Sequence, residues 1–462
     1  MRMFRMRRVV RFTFMVVLIM FVLLNLLILF SVQMEIADGS TRLNSLNSFA
    51  HHHHDNRFRV QYSKINSDSI VSVENQVWIL PHMGNGTYHE PMNVSGENLT
   101  HIKNEIQRIN SQQFIHHLDK FGLRLNTESV VIIIQVHDRG EYLKILLNSL
   151  RKVANIEKSL LIISHDVYSN ELNQLVLSVD FCPVMQIFFP HSLQLHPKEF
   201  PGEHPKDCPR NIKKEEAVLM KCNNANSPDK YGHYREARYC QTKHHWFWKL
   251  QHTFEKVQVM KNYPGLVLLL EEDYYVTPDV ISVLQMMHNV MKKDCKDCTL
   301  LAAGNYDKAQ NYGVNSGKVE VASWISSKHN MGMSFTVDLW KEIKRCGKEF
   351  CLFDDYNWDW TLQHLSSQCI NQQIKVLKMK ATRVFHMGDC GVHHKGKNCQ
   401  PANKEKTVEQ EVQSNKQHLF PNSISIGSYS GLKLRDPKPN GGWGDSRDHQ
   451  LCLSFIQNTT IH

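Results

Sequence analysis

GLVLLLEEDYY, Gly265 to Tyr275, is the stretch on which the reading of the fold turns. From Gly265 to Leu270 every residue is apolar or glycine, and none is charged. A run of that length fits a strand buried on both faces, as in a parallel sheet. It ends abruptly in Glu271, Glu272 and Asp273. In open α/β sheets, ligands bind beyond the carboxyl ends of the strands. Carboxylates placed there suit a hard divalent cation, which prefers oxygen ligands and can bridge to substrate phosphates. The plainer reading is a solvated acidic turn before a helix that Pro278 starts.

Upstream, VVIIIQV, Val130 to Val136, is a second buried-strand signal, followed by HDRGEY. Tyr142, Leu143, Leu146, Leu147 and Leu150 then mark the apolar face of a helix. SLLIISHD, Ser159 to Asp166, reads as another strand, Ser169 to Leu177 as a helix, and VMQIFFP, Val184 to Pro190, as a further strand. This alternation predicts right-handed βαβ units and an α/β fold with a mostly parallel sheet. No GxGxxG follows the first strand, which disfavours a dinucleotide fold of the dehydrogenase type.

Residues 191–240 read as a long proline-rich loop, which Cys208 and Cys222 are placed to staple. QTKHHWFWKLQHTFEKV, Gln241 to Val257, reads as a helix whose Trp246, Leu250 and Phe254 face the core. VISVLQMMHNVMKK after Pro278 is an amphipathic helix. Cys295-Lys-Asp-Cys298 reads as a small structural disulfide loop; thioredoxin-like redox chemistry is the alternative. Residues 300–345 alternate short strands with loops. DDYNWDWTLQHL, Asp354 to Leu365, interleaves carboxylates with aromatics. If it is helical, Asp355 and Asp359 share a face, while Asp354 or Asp355 caps the start. RVFHMGDCGVHH, Arg383 to His394, packs histidines around Cys390. A zinc knuckle from Cys390, His393, His394 and Cys399 is conceivable, but an oxidising compartment favours a Cys390–Cys399 disulfide. From Asn403 onward the chain reads as mostly irregular, with tight turns at NGGWG.

The compartment is read from the other end of the chain. Arg2, Arg5, Arg7, Arg8 and Arg11 are the only charges in the first 30 residues, and without those five the net charge of +9 falls to +4. No concentrated basic face remains to point to nucleic acid. Phe12 to Phe30 is uncharged and just long enough to cross a bilayer as a helix. With the arginines before it, the positive-inside rule puts the N-terminus in the cytosol. The reading is a cytosolic tail at 1–11, a signal anchor at 12–30, a lumenal stem at 31–125 and one catalytic domain at 126–462. A cleaved signal peptide is the alternative. Residues 101–120 carry Ile102, Ile106, Ile109 and Ile115 at roughly helical spacing. The polyhistidine tract His51 to His54 reads as linker. Sequons at Asn85, Asn93, Asn98 and Asn458, and 12 cysteines, fit an oxidising secretory lumen.

Together, QVHDR, ISHD, YGHYREA, QTKHHWFWK, LLEEDYY, DDYNWDW and FHMGDCGVHH resemble the N-acetylglucosaminyltransferase II family of N-glycan maturation. The resemblance runs from about residue 130 to Cys452. It implies a GT-A type, Rossmann-like fold, a single-pass type II Golgi membrane protein, and Mn²⁺ as cofactor. It implies that Gln135, Val136, His137, Asp138 and Arg139 contact the nucleotide of UDP-GlcNAc, that Asp166 holds the uridine, and that Gln241, Thr242, Lys243, His244 and His245 line the donor pocket. It implies Asp273 and His386 as Mn²⁺ ligands and Asp359 as catalytic base. It further implies Cys346–Cys369 and Cys351–Cys452 disulfides, with Cys182 and Cys240 left as free thiols. Asp138 and Cys240 depart from the family pattern, where Asn and a small polar residue are expected.

The implied reaction moves GlcNAc from an α-glycoside of UDP into a β1,2 linkage on the α1,6-arm mannose of an N-glycan on a glycoprotein. A single in-line displacement inverts C1 and needs one base and a Lewis acid for the leaving group. The alternatives are a transferase acting on the α1,3-arm mannose, or a catalytically inactive membrane-anchored glycan-binding protein on the same fold.

Overall fold

The computed structural model describes residues 96–388, 400–431 and 433–457. The proposed membrane span, most of the stem and the Cys390–Cys399 pairing lie outside the described residues. No helix among the described residues is long and apolar enough to cross a membrane.

The strands are β1 (Ile115–His116), β2 (Val130–Val136), β3 (Leu160–His165), β4 (Val184–Phe188), β5 (Leu266–Glu271), β6 (Tyr274–Val276), β7 (Leu300–Ala302), β8 (Lys318–Ser323), β9 (Met333–Phe335), β10 (Lys375–Met379), β11 (Val384–His386) and β12 (Ser425–Tyr429). Ten of them form one sheet in the order β1-β4-β3-β2-β5-β9-β7-β10-β8-β12, and β6 pairs with β11 in a separate ribbon. β4, β3, β2 and β5 are mutually parallel, as the strand–helix alternation predicts. Beyond β5 the sheet is mixed: β9 runs antiparallel to both its neighbours, and β8 antiparallel to β10. Strands as short as β7 and β9 carry too little pattern for their direction to be read from sequence.

Alternate residues of the parallel strands serve opposite faces, as a pleated strand requires. Val131, Ile133, Ile162, Val267 and Leu269 pack beneath the helix Ala237–Glu255, which adds Trp246, Phe247 and Leu250. Trp246 stacks on Trp358 with ring centroids 4.5 Å apart, so the aromatics of this helix are core. Ile132, Ile134, Leu161, Ile163, Leu268 and Leu270 face the helices Gly140–Leu150 and Val280–Asp294. Burial of both faces explains the unbroken apolar runs.

The periphery differs from the sequence reading in places. The isoleucine-bearing helix is Gly96–Gln112, ahead of residue 126, and it docks on the sheet. Its Ile102 and Ile106 are buried against Phe188 and Leu195, and Asn110 exchanges hydrogen bonds with the main chain of Phe188. The segment after Asn403 is not mostly irregular, because helices span Pro401–Ser414 and Ser446–Gln457. The disulfides Cys208–Cys222, Cys295–Cys298, Cys346–Cys369 and Cys351–Cys452 all form. Cys182 and Cys240 are buried free thiols.

Candidate active site

Parallel register sets Gln135 of β2 beside Ser164 of β3 and Glu271 of β5. The segments leaving these strands, His137–Arg139, Asp166 and Glu272–Asp273, therefore emerge along one edge. At β5 the chain turns through Glu272 and Asp273 into β6. Glu272 is buried and accepts from the His137 main-chain N–H at 2.8 Å and from Arg139 Nε at 2.6 Å. Arg139 Nη1 reaches Asp273 Oδ2 at 2.7 Å. Arg139 thus clamps the acidic turn, a role its place among the nucleotide contacts did not foresee.

The β6–β11 ribbon supplies the other half. Its register sets Tyr274 opposite His386, and Met387 N–H donates to the Asp273 carbonyl at 2.7 Å. His386 Nε2 stands 3.3 Å from Asp273 Oδ2, so the two residues expected to share a metal meet. Burial opposes ionisation of Asp273, but His386 and Arg139 outweigh it and hold the carboxyl below its ordinary pKa. Burial likewise opposes charge on His386, and Asp273 pulls its pKa up. Asp273 Oδ1 is buried with no hydrogen-bond partner among the described residues. A carboxylate with one oxygen, Oδ1, left without a partner and the other, Oδ2, beside an imidazole is a donor set that fits a divalent cation. Such a cation would be held by Asp273 and His386.

A second node forms at Asp166. His137 Nδ1 lies 2.6 Å from Asp166 Oδ1, and Gln241 Nε2 donates to Oδ2 at 3.0 Å. His245 Nδ1 faces the same Oδ2 at 3.4 Å while its Nε2 contacts Ser164 Oγ at 2.8 Å. Burial favours the neutral acid, but His137 and His245 outweigh it and hold Asp166 well below the usual carboxylate range. For His137 burial opposes the charge, yet Asp166 wins and the imidazole is pushed up to about 9. Close by, Lys249 Nζ donates to Gln135 Oε1 at 2.5 Å, and burial pushes this ammonium down to about 7 against the pull of Glu271.

Asp359 lies in the first turn of the helix Trp358–Gln368. Oδ1 accepts from Trp360 N–H at 2.8 Å and Oδ2 from Asn330 Nδ2 at 3.2 Å. Burial raises its pKa above the ordinary carboxylate value, and these two donors only partly offset it. Asn330 is in turn fixed by Tyr306 Oη, which donates to its Oδ1 at 2.9 Å. Burial raises the Tyr306 pKa, and the carboxylates of Glu271, Asp359 and Asp273 raise it further.

Several expected donor residues stand elsewhere. On the helix Ala237–Glu255, Gln241 and His245 are four apart and share the Asp166 face. Lys243 and His244 fall on other faces. Lys243 is buried and donates to the Phe353 and Asp355 carbonyls, and His244 pairs with Asp448 at 3.0 Å. Both anchor neighbouring segments. Thr242 donates back to the Arg238 carbonyl at 3.5 Å. The Val136 side chain is buried in the sheet, and its carbonyl accepts from Asp166 N–H. The Asp138 side chain is largely exposed, 3.7 Å from His137 Nε2. Asp355 precedes the helix and does not share a face with Asp359. The helix cap is Asn357, while Asp354 accepts from Lys230 and Trp443 main-chain N–H groups. A cavity of about 960 Å³ opens at the amino ends of β2 and β3, beside Val130, Ser159 and Gln285, and holds none of these converging groups.

The model of the N-acetylglucosaminyltransferase II (MGAT2) family matches residues 103–452. The alpha-1,6-mannosyl-glycoprotein 2-beta-N-acetylglucosaminyltransferase of Sus scrofa is 46% identical over 360 residues, covering 78% of this chain and 80% of that protein. The protein of the same name from Homo sapiens is 44% identical over 361 residues, covering 78% and 80%. That of Arabidopsis thaliana is 32% identical over 340 residues, covering 72% and 75%. By family match and by identity over most of its length, the chain belongs to the N-acetylglucosaminyltransferase II family.

Proposed function

We propose that the chain transfers GlcNAc from UDP-GlcNAc to the 2-hydroxyl of the α1,6-arm mannose of N-glycans, with inversion at C1 and with Mn²⁺ at Asp273 and His386. The parallel strands β2 to β5 would be the nucleotide half of a GT-A type fold. The observation that carries this reading is the meeting of Asp273 and His386 on the edge that also presents Asp166. His137 and Asp166, at the ends of β2 and β3, would receive the nucleoside. When bound, the cation supplies positive charge against the departing diphosphate. Asp359 removes the proton from the acceptor hydroxyl, and its raised pKa makes it a stronger base than an exposed carboxylate. Asn330 holds that carboxylate in place. Arg139 keeps Glu272 and Asp273 from repelling each other in a buried turn. A Golgi membrane location, with residues 12–30 as a type II signal anchor, is part of the proposal. It is supported by the arginine cluster ahead of an apolar span and by lumen-compatible disulfides.

The test is transfer to two glycans, one with a free α1,6-arm mannose and one with a free α1,3-arm mannose, with product linkage read by NMR. A β1,2-linked GlcNAc on the α1,6 arm is expected. Transfer confined to the α1,3 arm would overturn the assignment.

A further inference from the structure

Gly388 lies two residues beyond His386, just past β11. The described glycines with left-handed φ are Gly122, Gly232, Gly332, Gly441 and Gly442, and Gly388 is not one of them. Its φ is therefore not left-handed, so the usual conformational reason for glycine does not apply. Space does. A Cβ placed on Gly388 would overlap Asp273 Oδ2 and come within 3.1 Å of both Asp273 Cγ and His386 Nε2. The Asp273 carboxylate has little freedom to retreat. It is almost fully buried, Arg139 holds Oδ2 at 2.7 Å, and His386 Nε2 lies 3.3 Å from the same oxygen. Its second oxygen is the buried one without a partner.

We propose that Gly388 is a positioning residue of the metal pocket, its missing side chain leaving the room in which a divalent cation meets Asp273 and His386. The proposal rests on reading those two residues as ligands. Any larger residue would push the carboxylate away from the imidazole and crowd Asp273 Oδ2 and His386 Nε2. Unlike a ligand, Gly388 contributes no atom to the cation, so its substitution weakens binding while leaving both donors in the chain.

The experiment is Mn²⁺ binding to the full chain with UDP present and no acceptor, read as loss of the free Mn²⁺ signal in electron paramagnetic resonance. Wild type, Asp273→Ala and Gly388→Ala are compared, with Tm measured in metal-free buffer. Wild type should bind, Asp273→Ala should lose binding, and Gly388→Ala should bind about 10–100-fold more weakly, the range found when supports of metal ligands are altered. In metal-free buffer Gly388→Ala should still unfold cooperatively, with at most the modest loss of Tm that local overpacking brings. Wild-type affinity in Gly388→Ala overturns the inference and leaves the ligand assignment standing. Loss of cooperative unfolding in metal-free Gly388→Ala also overturns it, because the glycine then serves the fold. Wild-type affinity in Asp273→Ala removes the ligand assignment itself, and the inference with it.

Discussion

Asp354, Asp355 and Asp359 lie in one short acidic and aromatic segment, yet the structure gives them different work. Asp354 accepts two main-chain N–H groups from distant loops, and Asp355 accepts from Asn357 and Asn440. Asp359 is tied by one local N–H and by Asn330. Asp359→Asn should bind UDP-GlcNAc normally and transfer about 10²–10⁴-fold more slowly, since general base catalysis is what it loses. Asp354→Asn should keep most of its turnover and lose about 1–3 kcal/mol of stability, as expected when a charged acceptor is weakened. Normal transfer by Asp359→Asn, or failure to bind donor, would move the base elsewhere. The pH profile offers a separate check. Asp359 must be ionised to act, and burial raises its pKa. The acid limb of kcat should therefore lie above the ordinary carboxylate range, with activity rising as pH passes through it. A limb at the pKa of an exposed carboxylate would contradict this.

Among the elements, legibility followed the strength of the pattern. β2 matches its sequence reading to the residue, because a continuous apolar run bounded by polar residues admits few alternatives. The helix Pro401–Ser414 was missed because it buries only Val408 and Val412, too few to establish a period. The helix Val337–Arg345 did carry a signal, since Leu339, Trp340 and Ile343 are its buried residues, but its neighbouring short strands masked it. Helical phase explains the site residues as well. Gln241 and His245 reach Asp166 while Lys243 and His244 cannot, which a run of five adjacent polar candidates concealed. Asn330 ends the four-residue helix Ser326–His329, too short to show a period, and only its contact with Asp359 reveals it. At this scale β11 is held by an ion pair, Arg383 Nε to Asp279 Oδ2 at 2.9 Å, with both side chains fully buried. Removing one partner would leave a buried charge uncompensated, so Asp279→Ala should cost about 3–5 kcal/mol in urea unfolding. A loss under about 1 kcal/mol would show that the pair is solvated or replaceable.

For the molecule as a whole, the parallel strands provide the edge where the site assembles, and later segments complete it. Asp359 comes from a helix between β9 and β10, and His386 from the separate ribbon. Cys351–Cys452 ties the C-terminal helix to the segment just ahead of DDYNWDW, closing a loop with a sequence separation of 101. Replacing both cysteines by alanine should cost about 2–5 kcal/mol, read from denaturant unfolding without reductant. Cys182 and Cys240 are buried, so alkylation should reach them only after unfolding. Labelling either thiol in the native protein would contradict the packing described.

The most direct test of the account is GlcNAc transfer to the α1,6-arm acceptor by wild type and Asp273→Ala, each with added Mn²⁺ and each in EDTA. Wild-type transfer should depend on Mn²⁺ and vanish in EDTA, and Asp273→Ala should be inactive in both conditions while still unfolding cooperatively in metal-free buffer. Full activity of Asp273→Ala in EDTA would show that the acidic turn is structural and that the chemistry lies elsewhere.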